Sequence, residues 1–190
     1  MAKNDRDSSG LTPEGARYAA GDRASGAGAV VGDLQSSGNS GGTRSDIIDA
    51  LQDLVETCKD AEYGFRTSAD RIQRGDLKDV LARRAEDFRA AAEELNGVIT
   101  TCGGQRQDSG SAMGAVHRGW VAVAATIGDT DKAVLEGCER GQDNALTRYR
   151  KALEKSLPPD IRTVVERQLQ DVERSHAQMR TLRDQVREND

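Results

Sequence analysis

Hydrophobic positions are sparse at the start of the chain and become periodic near residue 45. Residues 1–44 hold one continuous apolar run, Ala29-Val30-Val31, among Gly, Ser and Asp. That composition buries too little apolar area to offset chain entropy, so the segment is read as a disordered arm. From Asp46 the apolar residues Ile47, Leu51, Leu54, Cys58, Phe65 and Ile72 recur mostly three or four apart, with one seven-residue step. This predicts a first helix from Asp46 to about Ala69, with Ser45 as N-cap and Arg74-Gly75 as its stop. A second helix starts near Asp76, carries Leu77, Val80, Leu81, Phe88, Ala92, Leu95 and Ile99, and ends at Gly103-Gly104.

A polar stretch, Gln105–Ser111, then leads into a shorter helical pattern over Ala112–Ile127. Gly128-Asp129-Thr130 recaps the chain for a helix from Asp131 to Leu157, striped by Leu135, Cys138, Ala145, Leu146, Tyr149 and Leu153. Pro158-Pro159 breaks it, and Pro159 suits the first turn of a last helix carrying Ile161, Val165, Val172, Met179, Leu182 and Val186. The expected fold is all-α: a ferritin-like antiparallel four-helix bundle over residues 45–190. Its helical crossover joins the second and third long helices, because 16 helical residues span about 24 Å.

Composition agrees with this pattern. Aromatic residues make up 3% of the chain and charged residues 31%, which suits an aliphatic core behind charged faces. The net charge of −5 gives no general attraction to nucleic acid or anionic lipid. No apolar run reaches the roughly 20 residues of a membrane helix, and no signal-peptide core follows Met1. Neither nucleic acid nor membrane is therefore an expected partner, and a cytoplasmic location is the default. Cys58, Cys102 and Cys138 lack any CxxC spacing and sit on apolar stripes, so they read as small core residues.

Polar residues at apolar-stripe positions are the candidates for chemistry. Glu62 lies between Cys58 and Phe65, and His176 between Val172 and Met179; Glu139 borders the third stripe and Glu86 the second. With the crossover topology, all four fall within roughly one helical turn of a common height. Glu173 and His176 also form a Glu-x-x-His pair on one face of the last helix, the pattern by which bundles bind iron or manganese. Glu62, Glu86, Glu139, Glu173 and His176 are thus the candidate metal ligands. The set lacks a second Glu-x-x-His, because the second helix reads Glu86-Asp87-Phe88-Arg89. The competing and favoured reading is a buried polar cluster in which Arg84 or Arg89 joins Glu62 and His176 through ion pairs. His117-Arg118-Gly119-Trp120 reads as an anchor of the crossover to the bundle. Catalytic residues are not indicated: neither histidine stands in a nucleophile motif, and Gly26, Gly28 and Gly32 follow no strand and miss the dinucleotide-loop spacing.

The runs Leu54-Val55-Glu56-Thr57-Cys58-Lys59-Asp60-Ala61-Glu62-Tyr63-Gly64-Phe65-Arg66, Asp108-Ser109-Gly110-Ser111, His117-Arg118-Gly119-Trp120 and Cys138-Glu139-Arg140-Gly141 carry a resemblance. Together, over about residues 45–187, the chain resembles an uncharacterised bacterial family of ferritin-like domains of unknown function. The resemblance implies a ferritin-like four-helix fold without an assigned activity or cofactor. It also implies an acidic residue in relatives where this chain has Gln142, and often no Glu at the position of Glu173. The expected function is a non-enzymatic, stress-related or interaction module with a buried polar layer, with homo-oligomerisation through a helix face left open. The alternative is an iron- or manganese-binding redox protein with a reduced carboxylate and histidine site.

Overall fold

A computed structural model of the chain describes residues 43–108 and 130–189. Residues 1–42 of the expected arm, the crossover helix and the His117–Trp120 cluster lie outside the described residues. Four long helices form the described part: α1 (Arg44–Arg71), α2 (Gly75–Thr101), α3 (Asp131–Leu153) and α4 (Pro159–Asn189). No strand occurs among the described residues.

The helix starts follow capping chemistry. Thr43, and not Ser45, caps α1: its Oγ1 accepts from Asp46 N at 3.1 Å, and the Asp46 carboxylate accepts from Thr43 N at 3.0 Å. That reciprocal pair satisfies two orphan donors where Ser45 would satisfy one, so the helix begins two residues earlier than expected. Thr130 caps α3 by accepting from Ala133 N at 3.3 Å. The α1–α2 turn has no side-chain cap of its own at Arg74. Its exposed amides are met by Asp131, whose carboxylate accepts from Gln73 N at 2.7 Å and Arg74 N at 3.3 Å. The third helix ends at Leu153, four residues earlier than its apolar pattern suggested, in a turn held by Lys155 N donating to Ala152 O. Leu157 is still buried, which is why the stripe seemed to continue.

Side-chain pairs fix the helix directions. Cys58 meets Tyr149 and Ser68 meets Cys138, so α1 and α3 are antiparallel. Gln142 meets Ser175 while Tyr149 meets Gln168, so α3 and α4 are antiparallel. Arg84 meets Gln178 and Glu94 meets Gln168, so α2 and α4 are antiparallel as well. Hence α2 and α3 run in the same direction. The core is mainly aliphatic, with Leu51, Leu54, Leu81, Leu95, Ile99, Leu135 and Val165 almost wholly removed from water. Phe65 and Phe88 stack across α1 and α2 with ring centroids 5.7 Å apart. No described helix is long and apolar enough to cross a membrane.

Candidate functional site

The candidate ligands do not converge on one point. Glu62 is paired with Arg66 at 2.8 Å, and Arg66 also reaches Glu86 at 3.4 Å; Glu86 in turn accepts from Arg89 at 2.7 Å. Those contacts stay on the α1–α2 hairpin. On the other hairpin Glu139 is held by Arg183, with Arg180 at 3.6 Å, and Glu173 pairs with Arg150 at 3.0 Å. His176 Nε2 stands 2.9 Å from Asp143 Oδ1 but off the alignment of a hydrogen bond. Among the described residues no three His, Cys, Asp or Glu side chains gather as a metal site would require.

Arg84 and Arg89 do not join Glu62 to His176 in any described contact, contrary to that part of the favoured reading. Arg84 instead donates to Gln178 and Asp87. The Arg89 guanidinium, donating first of all, holds the Glu86 carboxyl below its ordinary range.

The cause is a one-residue ambiguity in helical spacing. A step of 3.6 residues admits either i+3 or i+4 as the next core position. Along α1 it is Ala61 that packs on the core between Cys58 and Phe65, leaving Glu62 at the edge. Along α4 Ser175 takes the core step and His176 the edge; along α3 Cys138 takes it and Glu139 borders it. Glu62, Glu139 and His176 keep 19, 15 and 16% of their side-chain exposure, whereas Glu86 and Glu173 keep 55 and 47% and lie on the surface.

The buried polar groups are therefore a different set. Gln168 Nε2 donates to Glu94 Oε2 at 2.7 Å and to Ala91 O at 3.3 Å. Both partners only accept, so the Gln168 oxygen must face inward, where it accepts from Tyr149 O–H at 2.8 Å. With its proton committed, the Tyr149 oxygen is left to accept from the Cys58 thiol, 3.1 Å away. The result is a directed chain of hydrogen bonds from a rim carboxylate to the bundle centre. Burial pushes the Cys58 and Cys138 thiols up to about 12, with hydrogen bonds to Tyr149 and Ser68 offsetting part of the effect. Burial foremost, then the nearby Cys58, also raises the Tyr149 phenol. All three cysteines are free and buried, and these thiols are inert core groups at neutral pH. One level along the bundle, Gln142 Nε2 donates to Ser175 Oγ while Gln142 Oε1 has no partner among the described residues. Sequence spacing could have found Ser175, three after Val172 and four before Met179, but a small polar residue on a stripe carries little signal.

A further strained group is Asp60 on α1. Burial, reinforced by Glu56 and opposed by Arg148, raises its carboxyl to about 6, and Oδ1 is buried without a partner among the described residues. A carboxyl with a folded pKa above its unfolded value stabilises the fold below about pH 4 and loses that contribution as pH rises through 6. Asp60→Asn is accordingly expected to raise stability at pH 7.5 by about 1 kcal/mol, after discounting for its partial exposure, and to change little at pH 4. Urea unfolding at the two pH values checks this; equal effects at both would show that the charge is not the cause.

The family described as a domain of unknown function (DUF2383) matches residues 46–155. No curated protein matches the chain. The matched stretch takes in α1, α2 and α3 and covers more than half of the chain, which therefore belongs to the DUF2383 family.

Proposed function

We propose that the chain is a ferritin-like four-helix module that acts without catalysis, as an interaction module, and that its polar layer is an ion-pair network and not a metal centre. The observation that carries this reading is that each of Glu62, Glu86, Glu139 and Glu173 is engaged by at least one arginine. A guanidinium cannot ligate a cation, and its charge opposes one. The ferritin-like topology rests on the shared direction of α2 and α3. The chain leaves α2 over α1, where Lys59 donates to Gln107 O.

Anaerobic Fe(II) titration of the purified chain with elemental analysis tests the reading. The expected result is no stoichiometric iron or manganese. Stoichiometric binding that is lost in Glu62→Ala and His176→Ala would replace it with the iron- or manganese-binding alternative.

A further inference from the structure

The α2 and α4 helices approach each other closely over a short stretch only, unlike α1 and α2 or α3 and α4. Two polar straps tie them instead. At one end Arg84 of α2 donates through Nε and Nη2 to Gln178 Oε1, at 3.2 and 2.7 Å. At the other, Arg167 and Gln168 of α4 donate to Glu94. The straps are ten residues apart on each helix, about 15 Å. Between them lies a cleft of about 470 Å³, within the usual range for small-molecule sites.

Its lining is specific in three ways. Phe88 and Val172 line it as buried apolar side chains, and Ala90 and Ala91 keep α2 from filling it. Its charges cancel in pairs: Arg84 with Asp87, Arg167 with Glu94, Arg174 with Asp171. A rim so neutralised presents no net field to draw an ion, and favours an uncharged guest. The buried polar groups that line it are Tyr149 and Gln168, both already committed, and Ser175. Ser175 Oγ accepts from Gln142 and donates to no described group. Were the Gln142 amide turned over, the Ser175 proton would be used and its oxygen left open. A ligand hydroxyl, both donor and acceptor, matches either arrangement; a carbonyl or an ammonium matches one.

We infer that the α2–α4 cleft binds a small, uncharged aromatic molecule bearing a hydroxyl, its ring lying against Phe88, Val172 and Ala91 and its hydroxyl meeting Ser175. The inference is independent of whether the bundle binds metal.

The test uses 2-naphthol and 2-methylnaphthalene, equal in shape and different in the hydroxyl. Titrated into the intact chain and followed by methyl NMR, 2-naphthol should bind saturably at one site. The shifts should centre on the Ala91 and Val172 methyls, with affinity roughly tenfold above 2-methylnaphthalene, as one neutral hydrogen bond supplies. Ser175→Ala should bring the two probes to equal affinity without abolishing binding, and Ala91→Phe should abolish binding of both. Absence of saturable binding, shifts centred away from these methyls, or a preference that survives Ser175→Ala would overturn the inference. Should Ala91→Phe not fold, the methyl map on the unaltered chain decides alone.

Discussion

Tyr149→Ala is expected to lower the unfolding free energy by about 3–5 kcal/mol, the cost of deleting a buried aromatic ring. Tyr149 has no exposed surface, so the cavity opens at the centre of the bundle. The loss has two parts, and Tyr149→Phe separates them. Phenylalanine keeps the ring but strands the Gln168 oxygen and the Cys58 thiol, whose only described polar partner is the phenol. That is expected to cost about 1–3 kcal/mol, mostly from the Gln168 carbonyl left without a donor. The thiol contributes less, being a weak donor that behaves as a small hydrophobe. Cys58→Ala in the Tyr149→Phe background should therefore cost about the same as in the unaltered chain. Urea denaturation of the four proteins checks the cycle. A neutral Tyr149→Phe would mean that the chain from Glu94 to Cys58 adds nothing to stability.

The helices were legible in the sequence because each stripe is long and most termini carry chemistry of their own. Pro158-Pro159, Gly103-Gly104 and the acidic first turns place the breaks to within a few residues. Which polar residues face inward was not legible in the same way. Rise along a helix accumulates at 1.5 Å per residue and tolerates an error of one position, but azimuth turns by about 100° with the same error. The spacing puts Glu62 and His176 inward, where their neighbours Ala61 and Ser175 hold that position; Glu139 borders its stripe, beside the core residue Cys138. Charged and aromatic residues attract notice on a stripe; alanine, serine and glutamine do not. The buried network was hidden for that reason, and also because its links join residues as far apart as Cys58 and Tyr149. The stripe places Tyr149 in the core, and the bonds its hydroxyl makes leave no local trace in the sequence.

Arginine settles the electrostatic side of the layer. Glu139 keeps little exposure, and a lone carboxylate so placed would be costly to keep charged. Arg183 compensates it while also bonding Asp184 at 2.9 Å, so one guanidinium serves two carboxylates of the α3–α4 face. A helix of 31 residues, longer than the other three, brings Arg183 to this level. The metal-like spacing of acids and the arginines that answer it are thus two halves of one arrangement.

Gly104→Val is expected to destabilise the domain by about 2–3 kcal/mol, because overpacking at a closed contact forces backbone to move. A Cβ at Gly104 would lie 2.8 Å from Ile99 Cγ2, and 3.1 and 3.2 Å from the Cγ2 and Cδ1 of Ile48. The Cγ2 methyls are fixed to branched Cβ atoms inside helices and cannot swing aside. The neighbouring Gly103 is constrained differently. Its φ of 77° is left-handed, yet a Cβ there meets only Arg44 Nη1 at 3.6 Å, an ordinary contact. Gly103→Ala should cost about 1–2 kcal/mol of backbone strain and leave the packing intact. The two differ in reach as well as size. Gly104 N donates to Ile99 O at 2.9 Å, closing α2 and directing the chain to where Gln107 N donates to Asn96 Oδ1 at 2.9 Å. Displacing Gly104 should therefore speed amide exchange at Gln107 at least tenfold under native conditions, through local opening, while Gly103→Ala leaves it near its original rate. If both variants speed it equally, strain and not crowding sets how the chain leaves α2.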